Sequence, residues 1–142
     1  MAEPAPPRMA DGPPEAARLG GSVQIRHVDA GSCNRCEVAI GSARMTPSGT
    51  GAIGCLARHA DALVMIRPVT QNKAEPLRRT YDAAPGPKLV AVGDCARSGA
   101  AFADAYGMAG AVRDIALVDV EIAGCSPRPE AIVESVRKPT GR

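Results

Sequence analysis

Three short cysteine-bearing turns, each set directly after a run that reads as a β-strand, constrain this chain more than any other feature. Cys33 and Cys36 stand in Cys33-Asn34-Arg35-Cys36-Glu37, Cys95 in Gly93-Asp94-Cys95-Ala96, and Cys125 in Gly124-Cys125-Ser126-Pro127. In an open sheet of parallel strands the carboxyl ends of the strands line one crevice, and ligands bind there. Such a sheet delivers four thiols to one rim, and four thiols on one rim make a metal site.

The runs themselves support that sheet. Ala62–Ile66 and Lys88–Val92 are continuous and apolar, the pattern of strands buried on both faces. Ser22–Val28 alternates, with Val23, Ile25 and His27 against polar neighbours. Ile115–Ile122 is read as a further strand with Ala116, Val118, Val120 and Ile122 on one face, and a short strand is expected near Ala52-Ile53. Helices are expected between them. One runs from Glu37 to about Met45 and places Cys33 and Cys36 near its N-terminus, where the dipole favours thiolate. Another opens on Asn72 and Glu75 as a capping pair, with Pro76 in its first turn and Ala74, Leu77 and Tyr81 at helical spacing. A third covers Ser98–Tyr106. The last starts at Pro129, with Ile132, Val133 and Val136 as its apolar stripe. Strands alternating with helices give an α/β sheet with right-handed crossovers.

Aromatic residues are only 2% of the chain, so the core must be built from Val, Ile, Leu, Ala and Met. A net charge of +2, with acids and bases interspersed, gives no nucleic-acid face. The longest aliphatic run, Ala62–Ile66, is far short of the roughly 20 residues of a membrane span, and no secretory signal is read at the N-terminus. Any membrane association is therefore expected through a partner. Residues 1–21 are rich in Ala, Pro and Gly and read as a disordered tail. The α/β domain covers 22–138, and 139–142 form a short tail.

The ligand spacing is Cys-x2-Cys, then 58 residues (37–94) to Cys95 and 29 (96–124) to Cys125. Four thiolates hold an iron–sulfur cluster or a tetrahedral zinc. Glycines beside the ligands (Gly31, Gly93, Gly99 and Gly124) and Pro127 after Cys125 favour the cluster. A zinc-stabilised interaction module stays open, as does a dithiol oxidoreductase using Cys33 and Cys36. The fifth cysteine, Cys55, has no place in the pattern and reads as a small buried hydrophobe. His27 and His59 stand outside any ligand spacing, and Arg58 with Asp61 reads as a surface ion pair.

The motifs His27-Val28-Asp29-Ala30-Gly31-Ser32-Cys33-Asn34-Arg35-Cys36-Glu37, Arg58-His59-Ala60-Asp61, Pro68-Val69-Thr70, Val92-Gly93-Asp94-Cys95-Ala96 and Gly124-Cys125-Ser126-Pro127-Arg128-Pro129-Glu130 follow one another in order. Together they resemble the small cluster-bearing subunit shared by NADH:quinone oxidoreductase (complex I) and the membrane-bound NiFe hydrogenases, formate hydrogenlyase included. The resemblance covers about 22–138. It implies a flavodoxin-like three-layer α/β sandwich with a mainly parallel sheet and one 4Fe–4S cluster at the carboxyl ends of its strands. Cys33, Cys36, Cys95 and Cys125 are then the iron ligands, and Glu37 matches the acidic residue implicated in proton transfer, with a helix N-terminal acid stabilised by the dipole as the alternative reading. The implied function is electron relay to or from a large catalytic subunit, NiFe-hydrogenase-like or quinone-reducing, so the chain is an oxidoreductase subunit inactive alone. The implied setting is cytoplasmic, held peripherally at the cell membrane's inner face by other iron–sulfur and membrane subunits. This sequence departs from the family at three places. The segment between Cys36 and Arg58 is short, Ser126 replaces a usual proline, and Arg67 stands where glycine is usual. Asp94 beside Cys95 is expected to lower the cluster's potential.

Overall fold

The computed structural model describes residues 23–31, 33–43, 51–53, 56–86 and 88–140. The tail expected at 1–21 and Cys55 lie outside the described residues. Strands β1 (Val23–Asp29), β2 (Gly51–Ile53), β3 (Ala62–Ile66), β5 (Lys88–Val92) and β7 (Val120–Ile122) form one sheet. Its order is β2-β1-β3-β5-β7, and every pair is parallel. Counted within that sheet, the order is the 2-1-3-4-5 of flavodoxin-like folds, and the expected α/β class holds. Strands β4 (Val69–Thr70) and β6 (Met108–Gly110), which the sequence pattern does not reveal, pair antiparallel beside it.

Helices cover both faces. Helices α1 (Arg35–Ala43) and α5 (Pro129–Thr140) pack on one side, and α2 (Gln71–Asp82), α3 (Asp94–Ser98) and α4 (Val112–Ile115) on the other. The period of two along the strands sorts the core accordingly. Val64, Ile66, Val90 and Val92 face α1 and α5, while Leu63, Met65, Leu89 and Ala91 face the opposite layer. All five residues of β3 are sealed from solvent, and a fully buried side chain the size of Leu63 contributes roughly 1.5–3 kcal/mol. In α5, Ile132 and Val136 are buried and Val133 partly so, as its apolar stripe requires. The helix runs on to Thr140, two residues into the stretch read as a tail.

Three expected elements differ. Helix α2 has Thr70 rather than Asn72 as its N-cap, and Pro76 is its sixth residue, beyond the first turn. Thr70 Oγ1 does not cap the helix; it donates to the Ala30 carbonyl at 3.1 Å, so the helix leaves β4 without a break. The helix expected at Ser98–Tyr106 instead begins at Asp94 and is ended by Gly99 (φ 78°), leaving one 3-10 turn at Ala100–Phe102. The strand expected over Ile115–Ile122 is only Val120–Ile122. Asp114 Oδ2 accepts the Ala111 N–H at 2.8 Å and starts a helical turn, and Val112 is buried beneath it. Ala116 and Val118 then pack on the α2 side and Val120 and Ile122 on the α5 side, so the four do not share a face.

Candidate metal centre

The sheet brings the three cysteine turns to one end. Cys33 lies between β1 and α1, Cys36 is the second residue of α1, Cys95 the second residue of α3, and Cys125 follows β7. Every one of these connections leaves the carboxyl end of a parallel strand, and β1 and β3 flank the point where the strand order reverses. Cys33, Cys36, Cys95 and Cys125 line one cleft there, with Arg35, Arg67, Pro68, Asp94, Phe102 and Gly124. Cys36 is buried, Cys95 half-buried, and Cys33 and Cys125 exposed.

Gly93 lets the backbone meet the sulfur. Its φ and ψ of 91° and 160° suit glycine alone, and a Cβ there would stand 2.9 Å from Cys36 Sγ and 3.3 Å from the Gly124 carbonyl oxygen. The other glycines near the cysteines serve different ends: a Cβ on Gly31 would strike Thr70, on Gly99 Ala103, and on Gly124 Pro127. Asp94 ties two of the turns together. Its Oδ1 accepts the Gly124 N–H at 2.9 Å and lies 3.5 Å from Arg97 Nη1, while the Asp94 N–H donates to the Gly124 carbonyl at 3.0 Å.

Arg67, at the end of β3, reaches into the same cleft from a φ of 80°. Its Nη1 donates to the Gly31 carbonyl and stands 3.2 Å from Asp29 Oδ1. Its Nη2 donates to Asn34 Oδ1 at 2.9 Å and stands 3.7 Å from Glu37 Oε2. The guanidinium thus spans the turn that carries Cys33 and the first turn of α1. Sequence reasoning marked Arg67 only as a departure. The local pattern carried no further signal, since a charged residue directly after five apolar ones is how a strand buried on both faces ordinarily ends. Phe102, the single phenylalanine of the chain, was likewise missed as a cleft residue.

Cys36 does not follow the expected helix-dipole effect. Burial pushes the Cys36 thiol above its ordinary value of 9.0, the neighbouring Cys33, Cys125 and Cys95 add to the rise, and Arg67 opposes it. Cys95 is raised for the same first reason, then by Cys125, Cys33 and Asp94. Desolvation outweighs the dipole at these two positions. Glu37 lies in the first turn of α1, half-exposed, with its carboxylate toward Arg67. His27 Nε2 is buried without a hydrogen-bond partner, and burial lowers its pKa from the ordinary 6.5. His59 and Arg58 are exposed in a 3-10 turn (Ala57–His59), and Asp61 Oδ2 accepts the Gln24 N–H at 2.8 Å, which fixes the start of β3 beside β1.

Four thiols around a common cleft, with Cys36 and Cys95 raised by burial and by their neighbours, suit a centre whose positive charge ionises them together. Among the described residues no group of three or more His, Cys, Asp or Glu closes around the position of a single ion.

A family profile described as NADH ubiquinone oxidoreductase, 20 Kd subunit, matches residues 20–138. A Pyrococcus furiosus protein named "probable membrane-bound hydrogenase subunit" is 38% identical over 125 residues, 83% of this chain and 74% of that protein. An NADH-quinone oxidoreductase subunit of Herpetosiphon aurantiacus is 37% identical over 109 residues, 74% of this chain and 60% of its own length. In the solved structure of the membrane-bound sulfane sulfur reductase, an archaeal respiratory membrane complex, one chain superposes with a TM-score of 0.64 at 26% identity. The match covers 84% of this chain and 69% of that one.

Proposed function

The chain belongs to the family of the NADH ubiquinone oxidoreductase 20 Kd subunit, and from that premise we propose that it carries electrons within a multisubunit oxidoreductase through one 4Fe–4S cluster held by Cys33, Cys36, Cys95 and Cys125. The observation that carries this reading is the convergence of four cysteines, from three motifs far apart in sequence, on one cleft at the carboxyl ends of the strands. The cluster would supply one-electron chemistry, with a potential set by its charge, its hydrogen bonds and its exposure.

The chain's own residues do the rest. Cys36 anchors the centre to the core, and Gly93 brings backbone against its sulfur. Asp94 holds the Cys95 and Cys125 turns at a fixed separation. Cys33 and Cys125 form the open edge of the cleft, where a redox centre in a large catalytic subunit, NiFe-hydrogenase-like or quinone-reducing, would come within tunnelling reach. Glu37 stands on the same side as the carboxylate for proton exchange, 3.7 Å from Arg67 Nη2. No helix among the described residues is long and apolar enough to cross a membrane, so attachment to the membrane's cytoplasmic face would run through partner subunits.

Two observations weigh against the other readings. A structural zinc site is more often built from two short Cys-x2-Cys knuckles, whereas this chain carries one, Cys33 with Cys36. A dithiol oxidoreductase needs only Cys33 and Cys36, whereas the same cleft also gathers Cys95 and Cys125. The test is anaerobic iron, zinc and sulfide analysis of the purified chain, with EPR after reduction. About four iron and four sulfide per chain, lost in Cys95→Ser and in Cys125→Ser, is the expected result. One zinc without sulfide sinks the electron-transfer reading.

A further inference from the structure

Arg67 is the only buried polar or charged residue among those described, at 5% exposure. Three costs attach to it. A guanidinium withdrawn from water loses hydration; its Nε is buried without a partner; and its backbone sits at φ 80°, in the region that favours glycine. The carboxylates beside it do not account for its retention. Asp29 and Glu37 are 53% and 49% exposed, so water already solvates them. Beyond the Gly31 carbonyl and Asn34 Oδ1, to which it donates, Arg67 adjoins the thiol-lined cleft, which it shares with all four cysteines. A four-thiolate centre is negative, and each electron it accepts makes it more so.

We propose that Arg67 is a positioning residue that sets the reduction potential of the bound cluster, a fixed buried cation that favours the reduced state and holds the Cys33 turn against α1. The inference rests on the cluster reading above. In the redox step one electron enters the cluster from a one-electron donor, no bond forms or breaks, and Arg67 keeps its proton throughout. The sign does not depend on the two carboxylates, because removing Arg67 subtracts one positive charge whatever their state. A unit charge about 10 Å away, at an effective dielectric of about 20, changes a one-electron equilibrium more than tenfold.

The experiment is a mediator redox titration, read by EPR, of the full chain reconstituted anaerobically with iron and sulfide. Wild type is compared with Arg67→Gln, Arg67→Gly and Arg67→Lys. Glycine suits the backbone at φ 80° and so separates loss of charge from loss of fold. The expected result is that Gln and Gly each lower the reduction equilibrium at least tenfold, which is 59 mV for one electron. Lys, which keeps the charge but not the fork, should stay within about threefold of wild type. A loaded wild type whose Gln and Gly variants titrate at the same midpoint overturns the inference and leaves the cluster reading intact. Loss of the cluster from all three variants makes Arg67 a structural latch, and the potential-setting claim falls. A wild type that takes up no cluster sinks the function reading and this inference with it.

Discussion

Gly93→Ala tests whether the backbone between β5 and α3 is shaped for the sulfur it meets. The new methyl would stand 2.9 Å from Cys36 Sγ and 3.3 Å from the Gly124 carbonyl oxygen, and φ 91° with ψ 160° is a region essentially reserved for glycine. The backbone term is about 1–3 kcal/mol. Overfilling a packed site adds typically about 1–3 kcal/mol, so the chain should lose about 2–6 kcal/mol, a large share of a typical domain's stability. Gly86→Ala is the control. Its φ is also positive, at 62°, but nothing lies within 4 Å of its added methyl, so only about 1–2 kcal/mol of backbone strain applies. Urea unfolding of the metal-free chain measures both costs, and iron and sulfide content after reconstitution measures the site. Gly93→Ala should shift the urea midpoint well beyond Gly86→Ala and take up less iron, since Cys36 is the sulfur displaced. Equal shifts with full iron in both variants would refute the argument that this turn is glycine because a sulfur lies against it.

Two further outcomes follow from the rim. Asp94→Asn keeps an acceptor for the Gly124 N–H and removes a negative charge, so the fold should hold. The cluster midpoint should rise by roughly 30–60 mV, about three- to tenfold for one electron; the 40% exposure of Asp94 limits the effect, and an unmoved midpoint in the EPR titration rules out its electrostatic role. The metal-free chain should also lose stability in alkali. Cys36 and Cys95 are raised above 9.0 when folded, so from about pH 9 the unfolded chain releases protons that the folded chain retains, and unfolding is favoured as pH rises through the folded values. Urea midpoints level up to about pH 8 and falling above 9 are expected, with the fall reduced in Cys36→Ser.

What could be read from the sequence depended on whether the pattern was local. Ala62–Ile66 and Lys88–Val92 match β3 and β5 residue for residue, because a strand buried on both faces needs an unbroken apolar run and polar ends mark its limits. Pro129 opens α5 as its fixed φ allows. The assembly of the four cysteines in one cleft was legible too, since parallel strands with right-handed crossovers leave their carboxyl ends on one side. The misreadings arose where a particular contact, distant or local, overrides the pattern. Thr70 serves the Ala30 carbonyl instead of α2, which no window around Asn72 could reveal. Asp114, accepting the Ala111 N–H three residues back, makes Val112–Ile115 a helical turn that takes Ile115 out of the expected strand. The dipole argument for Cys36 failed because it ignored burial, and burial is a property of the packed layers.

Arg67 shows why the rim of such a sheet can change while the fold stays. Of the four thiols lining the cleft, only Cys36 belongs to either hydrophobic cluster. The sheet is held by aliphatic residues in the middle of β1, β3, β5 and β7, one side chain or more from the cleft. A substitution after the last buried residue of β3 therefore leaves the packing of Leu63, Met65 and Ile66 in place. Its cost falls on the rim alone, as backbone conformation and desolvation. Loops at the carboxyl ends of parallel strands are where chemistry can be altered without disturbing the core. A buried arginine at one of them, facing four thiols, is therefore better explained by the site's electrostatics than by the stability of the sheet.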